Sequence, residues 1–230
     1  LIPLYQRSMP QFEFLDLTRA AEAPDYAEHL PLGSLPPLFR PSQASFETAR
    51  HPYLVADAQR VAVLRQKVSR PDRLVCGVSW SSNRKGIGSH KSISLAQMLP
   101  PLASDRLHFV NLQYGDTSAE RDALRAAHGI EVQNIAEVDN FNDIDGLAAL
   151  IDACDVVLTT SNSTAHLAGA LGKTTLLLLP FGKGRLWYWY GPQGHSLWYP
   201  SIQTYAQQYA GQWQHPLAQI QTYLNKLLCS

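Results

Sequence analysis

From Leu74 onward, short apolar runs rich in Val, Leu and Ile alternate with stretches in which apolar residues recur every three or four positions. LVCGVSW (74–80), LHFVNLQ (107–113), IEVQNI (130–135), DVVLTT (155–160) and TTLLLLP (174–180) are the runs predicted to be strands. The intervening periodicity predicts helices at about 92–103, 117–128, 143–153 and 164–171, with Gly129 and Gly172 standing where two of them should stop. Such alternation specifies βα units on a parallel sheet, so the expected fold class is α/β, a doubly wound parallel sheet. A short extended piece at 201–205 and a helix at about 216–228 complete the pattern.

The pattern fails before Leu74. Residues 31–56, with PLGSLPPLFRPSQ and RHPYLV, concentrate proline and read as an irregular connection, followed by a helix at about 57–68. Pro71 marks the expected boundary between an incomplete N-terminal α/β portion, 1–70, and a Rossmann-like domain, 71–230. The chain opens on Leu1 in what reads as a strand-bearing region and is expected to be a piece of something longer. No self-similarity at 34 residues marks a repeat array.

Composition narrows the partners. Nineteen basic residues balance nineteen acidic ones with no long cationic stripe, which argues against nucleic acid or an anionic membrane surface. No apolar run is long enough to span a bilayer, and LIPLYQRSMP has no signal-peptide pattern, so a cytoplasmic protein is expected. Cys76, Cys154 and Cys229 form no CxxC pair, and the first two read as small core residues.

Ligands of doubly wound sheets bind beyond the carboxyl ends of the strands, here the loops after residues 80, 113, 135, 160 and 180. In the first, SSNRKGIGSHK, the cations Arg84, Lys85 and Lys91, with His90, could close over a diphosphate, although on residue type alone an ordinary solvated loop is the commoner reading. It lacks the GK[ST] ending of a P-loop, and no GxGxxG follows the first strand, which disfavours a nicotinamide dehydrogenase. Gln113 and Tyr114 open the second loop, where Tyr114 stacks on a base or covers the sheet edge. The third places Asn142, Asp143 and Asp145 at a helix start, as caps or as acceptors from ribose hydroxyls. The fourth, TTSNSTAHLAGALGK (159–173), puts Ser161, Asn162, Ser163 and Thr164 at a helix N-terminus, where side chains cap and free amides face an anion. His166, one turn in, donates to a phosphate or packs in the core. In the fifth, Gly182, Lys183 and Arg185 precede Trp187, Tyr188, Trp189, Tyr190, Trp198 and Tyr199, a platform for sugar faces or an internal aromatic cluster.

TSNSTAHLAGALGK, LLLLPFG, the later LWYP (197–200) and WSSNRKGIGSHKSISL (80–95) resemble, in that order, the corresponding motifs of TPR-linked bacterial glycosyltransferases related to heptosyltransferases. The resemblance spans roughly residues 30–205. It implies a GT-B architecture in which two Rossmann-like domains face each other and the C-terminal one binds a nucleotide-diphosphate sugar. On this likeness residues 1–70 are the later part of the acceptor-side domain, whose first strands and, further upstream, TPR repeats precede it in the family. Lys91 stands where relatives commonly carry a cation for the donor phosphates, and His166 where histidine recurs. The implied donor-binding set is Lys91, Asn162, Ser163, Thr164, His166, Gly182, Lys183, Gln113, Tyr114 and Asp143. Ser161 departs from the family, which often has an acid there.

The implied reaction is transfer of a sugar to a protein, glycan or lipid-linked acceptor, with no metal or cofactor, helix amides and basic side chains stabilising the leaving diphosphate. The catalytic base is expected near the start of the first domain, outside this chain. A GT-B-derived module that binds without catalysis is the alternative.

Overall fold

The computed structural model describes residues 1–16, 18–19, 28–47 and 51–229. Its strands are β1 (Leu74–Ser79), β2 (Leu107–Asn111), β3 (Val132–Gln133), β4 (Val156–Thr160), β5 (Thr175–Leu179) and β6 (Ile202–Ala206). They form one sheet in the order β3-β2-β1-β4-β5-β6, every neighbouring pair parallel. Order reverses between β1 and β4, which pair from Cys76↔Val156 to Ser79↔Thr159.

The helices are α1 (Ile2–Ser8), α2 (Pro36–Phe39), α3 (Ala58–Val68), α4 (Gly88–Lys91), α5 (Leu95–Met98), α6 (Ser118–His128), α7 (Ile144–Asp152), α8 (Ser163–Ala170) and α9 (Gln214–Cys229). Side-chain alternation sorts the strands' residues onto two cores. Val75, Val110 and Val157 pack with Leu4, Leu64, Val68, Leu147, Leu150 and Leu167 on one face. Cys76, Val78, Phe109, Val156 and Leu158 pack with Met98, Leu124, Leu217, Ile220 and Leu224 on the other. Both faces are dry, which is why the strands read as continuous apolar runs. Gly129 and Gly172 end their helices with φ of 67° and 74°, the left-handed conformation glycine adopts without strain.

Four expectations change. Residues 2–8, expected in a strand-bearing region, form α1: Pro3 stands in the first turn, where a missing N–H costs no helical bond, and Leu4 is fully buried beside α7. The helix expected at 92–103 is broken into α5 and a 3-10 turn at Pro100–Leu102, because Pro100 and Pro101 offer no amides to continue it. Ser94 caps α5 by accepting from the Gln97 amide at 3.3 Å. The strand expected at 130–135 pairs only through Val132 and Gln133. Finally, the loop after β1 contains the short helix α4. Residues 48–50 of the proline-rich connection lie outside the described residues. Among those described, no helix is long and apolar enough to cross a membrane.

Candidate functional site

The reversal between β1 and β4 sends the loop after β1 and the β4–α8 turn apart and leaves a crevice between them, the usual ligand position in an open α/β sheet. A cleft of about 700 Å³ occupies it, bordered by Asn83, Arg84, Lys91, Tyr114, Ser163 and His166, with Asn140, Phe141 and Tyr188 completing the walls.

Its floor is a stitched polar layer. The Gln113 side-chain oxygen accepts from Ser79 Oγ at 3.0 Å, the Trp80 amide at 3.0 Å and the Ser81 amide at 2.9 Å. Asn162 donates through Nδ2 to Ser79 Oγ at 2.8 Å and to the Ser81 carbonyl at 3.3 Å, while its Oδ1 accepts from the Ala165 amide at 3.3 Å. Gln113 thereby ties the end of β1 to that of β2, and Asn162 ties it to that of β4. Their polarity is consumed inside the protein. Thr164 is fully buried, with its hydroxyl turned to Ser79. Because Asn162 caps the Ala165 amide, the amides of Ser163 and Thr164, first in α8, are left without intrahelical partners and carry the positive end of the helix dipole.

Lys91 faces that helix end. It is only 3% exposed, and its Nζ donates to the Ser161 carbonyl at 2.7 Å. Among the described residues no carboxylate pairs with it. Burial, with Arg84 nearby, pulls its pKa below the ordinary lysine value. The loop after β5 closes over the stem of this side chain at Gly184, where φ is 93° and an added Cβ would lie 3.0 Å from Lys91 Cγ.

His166 is half-buried above the same floor. Its ring stacks on Trp189, centroids 4.5 Å apart at 28°, and its Nδ1 lies 3.0 Å from the Tyr199 hydroxyl. Burial first, and Lys91 second, push its pKa down to about 4, so the imidazole is neutral at pH 7. Trp189 is fully buried and donates its indole N–H to Ser161 Oγ at 2.8 Å. At the far wall the Tyr114 hydroxyl accepts from the Asn83 amide at 2.7 Å, and its ring meets Phe141 at 5.9 Å.

Of the implied donor-binding set, Lys91, Tyr114, Asn162, Ser163 and His166 border this cleft, and so do Arg84, Ser161 and Tyr188 from the same loops. Thr164 and Gln113 lie beneath it. Gly182 and Lys183 are exposed and do not line it. Asp143 caps α7 by accepting from the Gly146 amide at 2.9 Å and pairs with Arg60, also away from the cleft. Asn83, Asn140 and Phe141 line the site without having been chosen. Asn140 and Phe141 belong to VDNFNDID, whose acids drew attention because carboxylates cap helices and bind ribose alike.

No family model matches the chain. Protein FlbA of Caulobacter vibrioides is 28% identical over 246 aligned residues, which cover 100% of this chain and 40% of that protein. Escherichia coli ADP-heptose lipopolysaccharide heptosyltransferase II superposes with a TM-score of 0.51 at 16% identity, covering 80% of this chain and 56% of that one. A glycosyl transferase of family 9 from Veillonella parvula gives 0.51 at 11% identity, covering 76% and 53%. The chain thus spans 40% of its curated relative and just over half of each solved structure. The likeness to heptosyltransferase-related glycosyltransferases marked in the motifs recurs in the fold, a Rossmann-like sheet of the kind these structures contain.

Proposed function

We propose that this chain is the donor-binding part of a glycosyltransferase that takes a sugar from a nucleotide-diphosphate sugar and delivers it to a protein, glycan or lipid-linked acceptor. The observation that carries this reading is Lys91: a buried ammonium with no carboxylate partner among the described residues, opposite the free amides of α8, in a cleft sized for a small molecule. A buried unpaired charge is costly unless a counter-ion is supplied, and a diphosphate supplies it.

In this reading the phosphates lie between Lys91 and the α8 amides, and the base lies against Tyr114 and Phe141. As the glycosidic bond breaks, negative charge accumulates on the departing diphosphate, and the preorganised ammonium and amides stabilise that charge where other enzymes use a metal ion. Neutral His166 adds a hydrogen bond without adding charge. The base that takes the acceptor's proton is expected in the portion of a longer protein that this chain does not include. A donor-binding module without turnover is the second reading, favoured by Ser161, whose hydroxyl is engaged by Trp189 at a position where relatives often carry an acid.

The test is a panel of ADP-, UDP-, GDP- and CMP-linked sugars. At least one is expected to raise the melting temperature by mass action on the folded state. No stabilisation by any of them, in the chain and in a longer protein containing it, overturns the proposal. Binding without consumption of the donor by that longer protein, given cell-derived acceptors, selects the second reading.

A further inference from the structure

We infer that Tyr199 sets the tautomer of His166: the tyrosine hydroxyl donates to Nδ1, so the one imidazole proton resides on Nε2 and faces the cleft as a donor. Tyr199 is thus a positioning residue for the site, and the ligand it prepares His166 to meet is an acceptor oxygen, a phosphate oxygen if the functional reading above holds.

Several independent features fix this pair. The hydroxyl and Nδ1 are 3.0 Å apart, a full hydrogen bond. Tyr199 reaches that position because its ring lies on the backbone of α8 at Gly169, where a Cβ would stand 2.5 Å from Tyr199 Cγ. Gly169 is three residues beyond His166 and on the same helix face, so a glycine one turn on makes room for the tyrosine that addresses the histidine. The imidazole is held from its other sides, stacked on Trp189 and met by Tyr188 at 5.1 Å. With Nδ1 engaged, Nε2 is the remaining polar atom of the ring, and among the described residues none hydrogen-bonds to it.

The direction of the bond follows from the partners: the Tyr199 hydroxyl has one proton and two neighbouring acceptors, Nδ1 of His166 and the hydroxyl of Tyr53, and the imidazole nitrogen is the stronger acceptor of the two. A phenol is a good donor and, with its lone pairs shared with the ring, a weaker acceptor, whereas the unprotonated nitrogen of a neutral imidazole is a strong acceptor. Burial, and then the nearby ammonium of Lys91, oppose a second proton on the ring, so the neutral form, and hence the choice of tautomer, is what matters. The opposite direction would leave Nε2 as an acceptor, suited to a hydroxyl rather than a phosphate.

Nitrogen-15 NMR of the histidine rings in the intact, ligand-free chain tests the tautomer directly, with His166→Gln identifying its signals among the eight histidines. The expected result is an unprotonated Nδ1 and a protonated Nε2. In Tyr199→Phe, which keeps the ring on Gly169, that preference is expected to give way to a mixture of tautomers. Affinity for the best nucleotide sugar should fall about fivefold, the equivalent of one neutral hydrogen bond, and by no more when His166→Gln is added. A protonated Nδ1 in the native chain, or an unchanged tautomer in Tyr199→Phe, overturns the inference. If the tautomer is as inferred and no nucleotide sugar binds, the positioning role stands and the functional reading alone falls.

Discussion

The Nζ of Lys91 donates to the main-chain carbonyl of Ser161 at 2.7 Å, a contact between residues 70 positions apart that joins the loop after β1 to the turn before α8. One of the three ammonium protons is thus spent on the protein, which leaves the others for an occupant of the cleft. The basic loop and the positive end of the helix are thereby held together as a single surface.

Lys91→Met should therefore separate binding from folding. Loss of a charge-assisted contact worth about 1.5–3 kcal/mol is expected to weaken nucleotide-sugar binding roughly ten- to a hundredfold. The melting temperature should hold or rise, since the substitution removes a buried charge that has no carboxylate partner among the described residues. Lys183→Met, on the exposed loop after β5, should change neither. Calorimetric titration beside thermal unfolding reads both quantities; unchanged affinity in Lys91→Met refutes the phosphate contact.

Gly169→Ala tests the close approach of Tyr199 to α8. Alanine favours a helix interior by about 1 kcal/mol, yet its Cβ would sit 2.5 Å from the tyrosine ring. The clash should win, with a net loss of about 1–3 kcal/mol by the usual cost of overpacking. Urea unfolding of the variant measures it, and a gain in stability would show that Tyr199 moves aside freely.

Stability should depend on pH through His166. Its folded-state pKa, near 4, lies below the ordinary value of 6.5, so the unfolded chain takes up the proton first. The contribution is complete above about pH 6.5 and is lost progressively as pH falls toward 4, amounting to about 3 kcal/mol for a shift of this size. His166→Gln should flatten that segment of the curve. Denaturant midpoints collected from pH 7 to pH 4 decide the point, and parallel curves for the two proteins would place the titration elsewhere.

Asp143→Ala is expected to act on the scaffold. It removes the cap on α7 and the ion pair with Arg60, which together should cost about 1–2 kcal/mol of stability, mostly through the cap because the pair is partly exposed. Nucleotide-sugar affinity should stay within about twofold of the parent, a change smaller than 0.5 kcal/mol. A larger loss of affinity, measured by titration, would bring this carboxylate back into the site.

The sheet was legible because its central strands are buried on both faces, so Val75 to Val78 and Val156 to Leu158 leave no polar alternation to misread. The strand ends predicted the loops, and the capping residues predicted the start of α8. Roles within those loops were less legible. Gln113 and Asn162 have the side chains of ligand-binding residues, but each spends hydrogen bonds on Ser79 and the residues just after it, and that depends on a neighbour more than 30 residues away. The burial of Lys91 is likewise set by contacts across the fold; its own flanks, glycine-rich and polar, resemble those of an exposed loop. Pro100 and Pro101 did carry a local signal, overridden in the reading by the apolar spacing around them.

Gln113 has a further consequence for motion. One amide oxygen holds Ser79, Trp80 and Ser81 at once, so the end of β1 leaves the sheet only if three hydrogen bonds break together. Fluctuations of the basic loop are thereby confined to the residues beyond this clamp. Its return anchor is the Ile93 amide, which donates to the Trp80 carbonyl at 3.0 Å. An occupant of the cleft then has only a short arc of backbone to order, and the entropy it surrenders on arrival is that of about ten residues rather than of the whole β1–β2 crossover.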